Sequence, residues 1–240
     1  MGPSDSKTDP AVLPVKAGHE LVSAIPPGRL VRFAGEPLSP RQQPTPLKLT
    51  KQTDFYEQRC VKYPGRGCFH CYAEFIHALL LEADAAVTNF VPQPFELVVK
   101  RRPYIPDVYL VRDGHMSVLE LKPEAKFDRG KEALLQAFFH QYGVSFNYLA
   151  NETVLEQELL ALHWLPLVQV LAQAQAQGLD TWQAEQRLLE AARAETSIAV
   201  GDLLDNTSPQ DRYWLELGLY RLLHRHELKC DLRQSPLDYD

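Results

Sequence analysis

Apolar and polar positions change rhythm several times along the 240-residue chain. From Phe69 to about Val87, "FHCYAEFIHALLLEADAAV" has helical spacing, and between Tyr72 and Leu81 only Glu74 and His77 are polar. A helix so apolar is buried on most sides. "FELVVK" (95–100) predicts a short strand. Further on, Asp113-Gly114 sits between runs rich in Val, Tyr and Leu, the two-residue signal for a tight hairpin. "KEALLQAFFHQY" (131–142) predicts a second helix ended by Gly143, and "VSFNYLA" (144–150) a further strand. The order helix, three strands, helix, strand predicts an α/β core with a mixed sheet flanked by helices, over residues 51–150.

After Asn151 the pattern turns helical. "ETVLEQELLALHWLPLVQVLAQAQAQ" reads as one or two helices, broken or kinked near Pro166. "TWQAEQRLLEAARA" is another. "SIAVGDLLDN", "SPQDRYWLELGLYRLLHRHEL" and "KCDLRQSPLDYD" then read as helix, turn, helix, hairpin, the layout of a winged helix, so residues 151–240 are expected to form a mostly helical, winged-helix-like unit. At the other end, nine of the 18 prolines fall within residues 1–50, which predicts an extended arm.

Charge refines this division. The chain carries a net −6, but residues 151–240 hold 15 acidic and 7 basic residues, leaving 16 and 18 in residues 1–150. Phosphate chemistry is therefore expected in the first part, and partner binding in the acidic second part. Cys60, Cys68, Cys71 and Cys230 are too few and too unevenly spaced for a disulfide framework. No apolar run approaches the roughly 18 residues that span a bilayer. With no secretory leader read, a cytoplasmic protein without membrane contact is expected.

The hairpin holds the chemistry. With a turn at Asp113-Gly114, Arg112 pairs with His115, and continuing that register puts Asp107 opposite Glu120. Directly opposed side chains have Cβ atoms about 4.5–5.5 Å apart, and like charges there repel. Glu120 and Lys122, two residues apart, share one face, while Leu119 and Leu121 point to the other. Two such carboxylates can be stabilised by a proton, a basic side chain or a bridging cation. Hard oxygen ligands suit Mg²⁺, or Mn²⁺, which leaves its other positions to water and phosphate oxygens. Such a site can hydrolyse a phosphodiester, with Lys122 orienting water or stabilising charge on phosphorus. Glu74, on a buried helix that offers it no cation, is the obvious third carboxylate.

Pro106-Asp107, a 13-residue gap and Glu120-Leu121-Lys122 resemble the PD-(D/E)xK nuclease superfamily, whose core is the same helix, three strands, helix, strand. Within it, "CYAEFIHALLLEADAAVTNFVPQPFELVVKRRPYIPDVYLVRDGHMSVLELKPEAKF" resembles the TnsA endonucleases of heteromeric, Tn7-like transposases. The resemblance covers roughly residues 60–150 and agrees more weakly over the helical region. It implies a restriction-endonuclease-like core, Glu74, Asp107 and Glu120 as metal ligands, and Lys122 as the catalytic lysine. It also implies a bacterial DNA endonuclease that cuts the non-transferred, 5′ strand at transposon ends. Its partners would be transposon-end DNA, a DDE-type (TnsB-like) transposase subunit and an AAA+ (TnsC-like) regulator. Members of that family can carry Gln where this chain has Glu120. A free-standing restriction or repair nuclease, and a non-enzymatic assembly module with a vestigial nuclease fold, are the alternatives.

Arg66, the run Lys100-Arg101-Arg102 and Gln136 are candidate DNA contacts, and His77, one turn after Glu74, is a candidate supporting residue. Cys60, Cys68, Cys71 and His70 do not have a usual zinc spacing.

Overall fold

The structure is a computed structural model that describes residues 30–45, 54–194, 199–204 and 207–238. Its main sheet has four strands in the order β4 (Val87–Pro92), β7 (Val108–Arg112), β8 (His115–Lys122) and β9 (Ser145–Ala150). β4, β7 and β8 are antiparallel, and β9 joins β8 in parallel. The parallel pair needs a crossover, which α2 (Arg129–His140) supplies. The chain is therefore α/β, with a mixed sheet flanked by helices.

The β7–β8 hairpin turns where the sequence places it. Asp113 and Gly114 take φ of 49° and 76°, the left-handed conformation that a tight two-residue turn requires. Arg112 pairs with His115 and Val108 with Leu119, so Asp107, the next residue, faces Glu120.

The strand read at 95–100 is displaced. β5 (Leu97–Val99) lies outside the main sheet and pairs with β1 (Val31–Phe33) and β6 (Arg102–Tyr104). The sheet strand that follows the first helix is β4, which was read as the helix's end and a loop. Asn89 and Pro92 weaken its strand signal, yet pairing with β7 holds it. In the expected arm, Val31 and Phe33 are buried beside Phe95, Phe138 and Phe139, so β1 is part of the core. Residues 34–45 of that arm form no helix or strand, and residues 1–29 and 46–50 lie outside the described residues.

The first helix, α1 (Tyr72–Ala83), is shorter than read, because Phe69 belongs to β3 (Gly65–Phe69), the partner of β2 (Tyr56–Cys60). Its buried residues include Phe75, Ile76, Leu79 and Leu81. Directly after β9 come α3 (Asn151–Leu155) and α4 (Glu158–Ala176), the latter continuous through Pro166. Ala161 and Val168 of α4 lie in the same apolar cluster as Ile76 and Leu79 of α1, so packing continues across residue 151. By length and composition alone α4 could cross a membrane, although no such run was read from the sequence. Its apolar residues Trp164, Leu167 and Leu171 are buried within the protein.

Beyond it, α5 (Trp182–Ala194), α6 (Val200–Leu204) and α7 (Pro209–His224) follow. Gly218 of α7 lets α5 approach closely, since a Cβ there would stand 3.2 Å from the Cβ of Ala184. The expected hairpin after α7 does not form, because residues 225–238 contain no strand. Leu228 and Leu232 pack back against the helices, and that apolar anchoring replaces cross-strand pairing, so the wing of a winged helix is absent from the described residues.

Candidate carboxylate site

Three elements bring the carboxyl groups together. α1 supplies Glu74 from its first turn, the approach to β7 supplies Asp107, and β8 supplies Glu120 and Lys122. Asp107 Oδ2 accepts a hydrogen bond from Leu121 N at 2.6 Å, which fixes it across the hairpin. Glu74 Oε2 accepts from His70 N at 3.0 Å and from Gln93 Nε2 at 2.9 Å. Glu120 is buried, one oxygen ion-paired with Lys122 and the other accepting from the Tyr104 hydroxyl at 2.6 Å. Glu74 and Asp107 remain partly exposed, so solvent reaches the cluster.

The electrostatics are those of a crowded anionic site. Burial, then the charges of Glu120 and Glu74, push the Asp107 carboxyl well above the usual carboxylate range. Burial also raises Glu74, with Glu120 adding to it, while the donors at His70, Cys71 and Gln93 pull it back down. Groups that repel one another while half-buried are stabilised by a cation. Lys122 is such a cation, but it is engaged with Glu120 and lies 5.3 Å from the ring centroid of Tyr148, the cross-strand neighbour of Glu120.

These oxygen donors suit a hard divalent ion, which needs only one or two protein carboxylates. Glu74 and Asp107 are the two that could hold it. Glu120 is turned into its contacts with Tyr104 and Lys122. Among the described residues no group of three or more His, Cys, Asp or Glu side chains is arranged to hold a metal ion. The sequence-derived triad is therefore one neighbourhood without being a finished ligand set, and the same absence covers Cys60, Cys68, Cys71 and His70. Burial pushes the Cys71 thiol up to about 12 and raises those of Cys60 and Cys68 as well, which disfavours the thiolate a zinc ion needs.

The supporting residues divide clearly. His77 lines a cavity of about 10 Å³ with Glu74 and Asp107, room for about one water. Burial, with Arg112 second, lowers its pKa to about 4, so it is neutral at pH 7. Arg66 lies apart, in an exposed ion pair with Glu57 at 3.0 Å. Gln136 is exposed on α2, whose approach to the site is made instead by Lys131, 3.4 Å from the ring centroid of Tyr104. Lys100 and Arg101 form the tight β5–β6 turn, with φ of 48° and 69°.

Tyr104, Gln93 and Lys131 were not assigned a role from the sequence. Gln93, in "FVPQPF", and Tyr104, in "YIPD", lie within the stretch that carries the family resemblance, which is their only signal. Tyr104 sits 16 residues from Glu120 on a strand of the other sheet, and no local periodicity links them.

Comparison with protein-family models finds no match to the chain. Comparison with curated proteins likewise finds none.

Proposed function

We propose that this chain is a divalent-metal-dependent DNA endonuclease with a restriction-endonuclease-like core. The observation that carries the reading is Asp107 facing Glu120 across the β7–β8 hairpin, with Lys122 on the Glu120 face and Glu74 arriving from α1. The helix–three antiparallel strands–helix–parallel strand order, with α1, β4, β7, β8, α2 and β9 in those places, supports the same reading.

In this reading Glu74 and Asp107 would hold Mg²⁺ or Mn²⁺, with Glu120 beside them in its contacts with Tyr104 and Lys122. The bound ion would supply Lewis acidity at the phosphodiester and lower the pKa of a water. The protein's own groups set the geometry. Leu121 N pins Asp107, His70 N and Gln93 orient Glu74, and Tyr104 holds Glu120. Lys122, ion-paired with Glu120 beside the other carboxylates, would stabilise the charge that builds on phosphorus.

The TnsA-like pattern makes the biological setting specific. The chain would cut the non-transferred 5′ strand at transposon ends beside a DDE-type transposase, under an AAA+ regulator. Its net charge of −6 supports delegation of site choice to such a partner. The test is cleavage of transposon-end and random duplexes with Mg²⁺, by the wild type and by Asp107→Ala, with and without the transposase subunit. Mg²⁺-dependent nicking that Asp107→Ala lacks, and that the partner directs to the ends, is expected. Equal nicking by both proteins would overturn the assignment of the site, and tight end-specific cutting by the chain alone would favour a free-standing nuclease.

A further inference from the structure

Next to the carboxylates, on the far side of Tyr104, lies a cleft of about 520 Å³ lined by Val99, Lys100, Arg102, Pro103, Tyr104, Asp128 and Lys131. Three of its lining side chains are cationic. Its single carboxylate is committed, since Asp128 caps α2 by accepting from Lys131 N at 2.9 Å. Among the described residues, none of Lys100, Arg102 and Lys131 has a carboxylate within ion-pair distance, whereas Arg66, Arg112, Arg129 and Arg225 all do.

Two further features hold these cations in place. Lys100 and Arg101 both take the left-handed conformation of the tight β5–β6 turn, which fixes the backbone beside Arg102. Lys131 is half-buried over the face of Tyr104, at 3.4 Å from the ring centroid. Burial lowers its pKa, so the ammonium lacks part of its hydration and gains from an anionic partner.

We propose that this cleft binds a backbone phosphate of the nucleic-acid strand, adjacent to the one at the carboxylates, with Lys131 and Arg102 as its main contacts. Tyr104 is the wall between the two places. The face of its ring supports Lys131, while its hydroxyl reaches Glu120. A phosphate drawn to Lys131 thus positions the strand against the carboxyl cluster. The inference rests on the nuclease reading for the identity of the strand, but its own observable is binding.

The experiment is fluorescence anisotropy of a labelled short duplex, without divalent metal, from low to physiological salt. It compares the wild type, Lys131→Gln, Arg102→Gln and Asp107→Asn, each checked for folding by thermal unfolding. Each phosphate contact contributes about 0.9 to the slope of log affinity against log salt. Lys131→Gln and Arg102→Gln are each expected to reduce the slope by about that much and to weaken low-salt binding several-fold. Asp107→Asn, which removes a repelling charge, should bind at least as well as wild type. Unchanged slopes in both cleft variants, or no binding by the folded wild type at low salt, overturn the cleft. If the cleft variants behave as expected while no protein cuts DNA with Mg²⁺, the nuclease reading fails and the phosphate site stands.

Discussion

Gln93 Nε2 donates to Glu74 Oε2 at 2.9 Å, from a residue that is 3% exposed and held at φ 40°. A buried amide in left-handed backbone is expensive to maintain. Here it favours the ionised form of a carboxyl that burial otherwise pushes toward the neutral one. Gln93→Ala should therefore raise the Glu74 pKa further. The acid limb of a cleavage–pH profile is expected to move to higher pH, with the alkaline limb unchanged. A uniform loss of rate at every pH would show that Gln93 only supports packing.

Asp107 trades stability for charge. Its folded-state pKa lies well above the unfolded value, so its contribution to stability is complete below the unfolded pKa and is lost as pH rises through the folded one. Asp107→Asn keeps an acceptor for Leu121 N and removes the charge. It is expected to be more stable than wild type above the unfolded carboxyl pKa, by a margin that vanishes at low pH, while losing cleavage. Denaturant unfolding at pH 4 and pH 7 measures both the gain and its disappearance at low pH.

Lys122→Ala tests whether the ammonium acts on the reaction. Groups placed against developing charge typically contribute about 10²–10³ in rate. A loss of that size, with a melting temperature within a few degrees of wild type, is expected. Full nicking would reduce Lys122 to a counter-ion for Glu120.

A second buried pair has a structural task. Glu82, 1% exposed, accepts from Val61 N and Lys62 N and meets His224 Nε2 at 2.8 Å, joining the β2–β3 turn, α1 and α7. His224→Ala leaves that carboxylate short of a partner, at a cost of about 3 kcal/mol. The melting temperature should fall by about 6–12 °C for a chain of this size, which calorimetry would measure.

The sequence carried the hairpin in full, because Asp113-Gly114 is a local signal and the strand period of two transmits its register to Asp107 and Glu120. Glu74 was legible for a related reason, as one of two polar residues on an apolar helix. The partners that tune these carboxyls were not. Gln93 and Tyr104 reach them across 19 and 16 residues, and Lys131 arrives from a separate helix. Such contacts depend on how strands and helices dock, which no local pattern specifies. The same reason hides β1, whose pairing with β5 spans more than sixty residues, and the strand character of β4, whose Pro92 and Asn89 read as loop.

The meeting of α1 and α4 has a consequence for dissection of the chain. Tyr72, two residues before Glu74, donates its hydroxyl to Glu158 at the start of α4, and Val168 and Ala161 close over Ile76 and Leu79. A fragment ending at Ala150 would strip the outer wall from the very helix that carries Glu74. Such a fragment should be insoluble or molten, with no catalytic remnant to assay. For a protein that docks on the helical half, the contact of Glu158 with Tyr72 is the short route from α4 to the carboxylates.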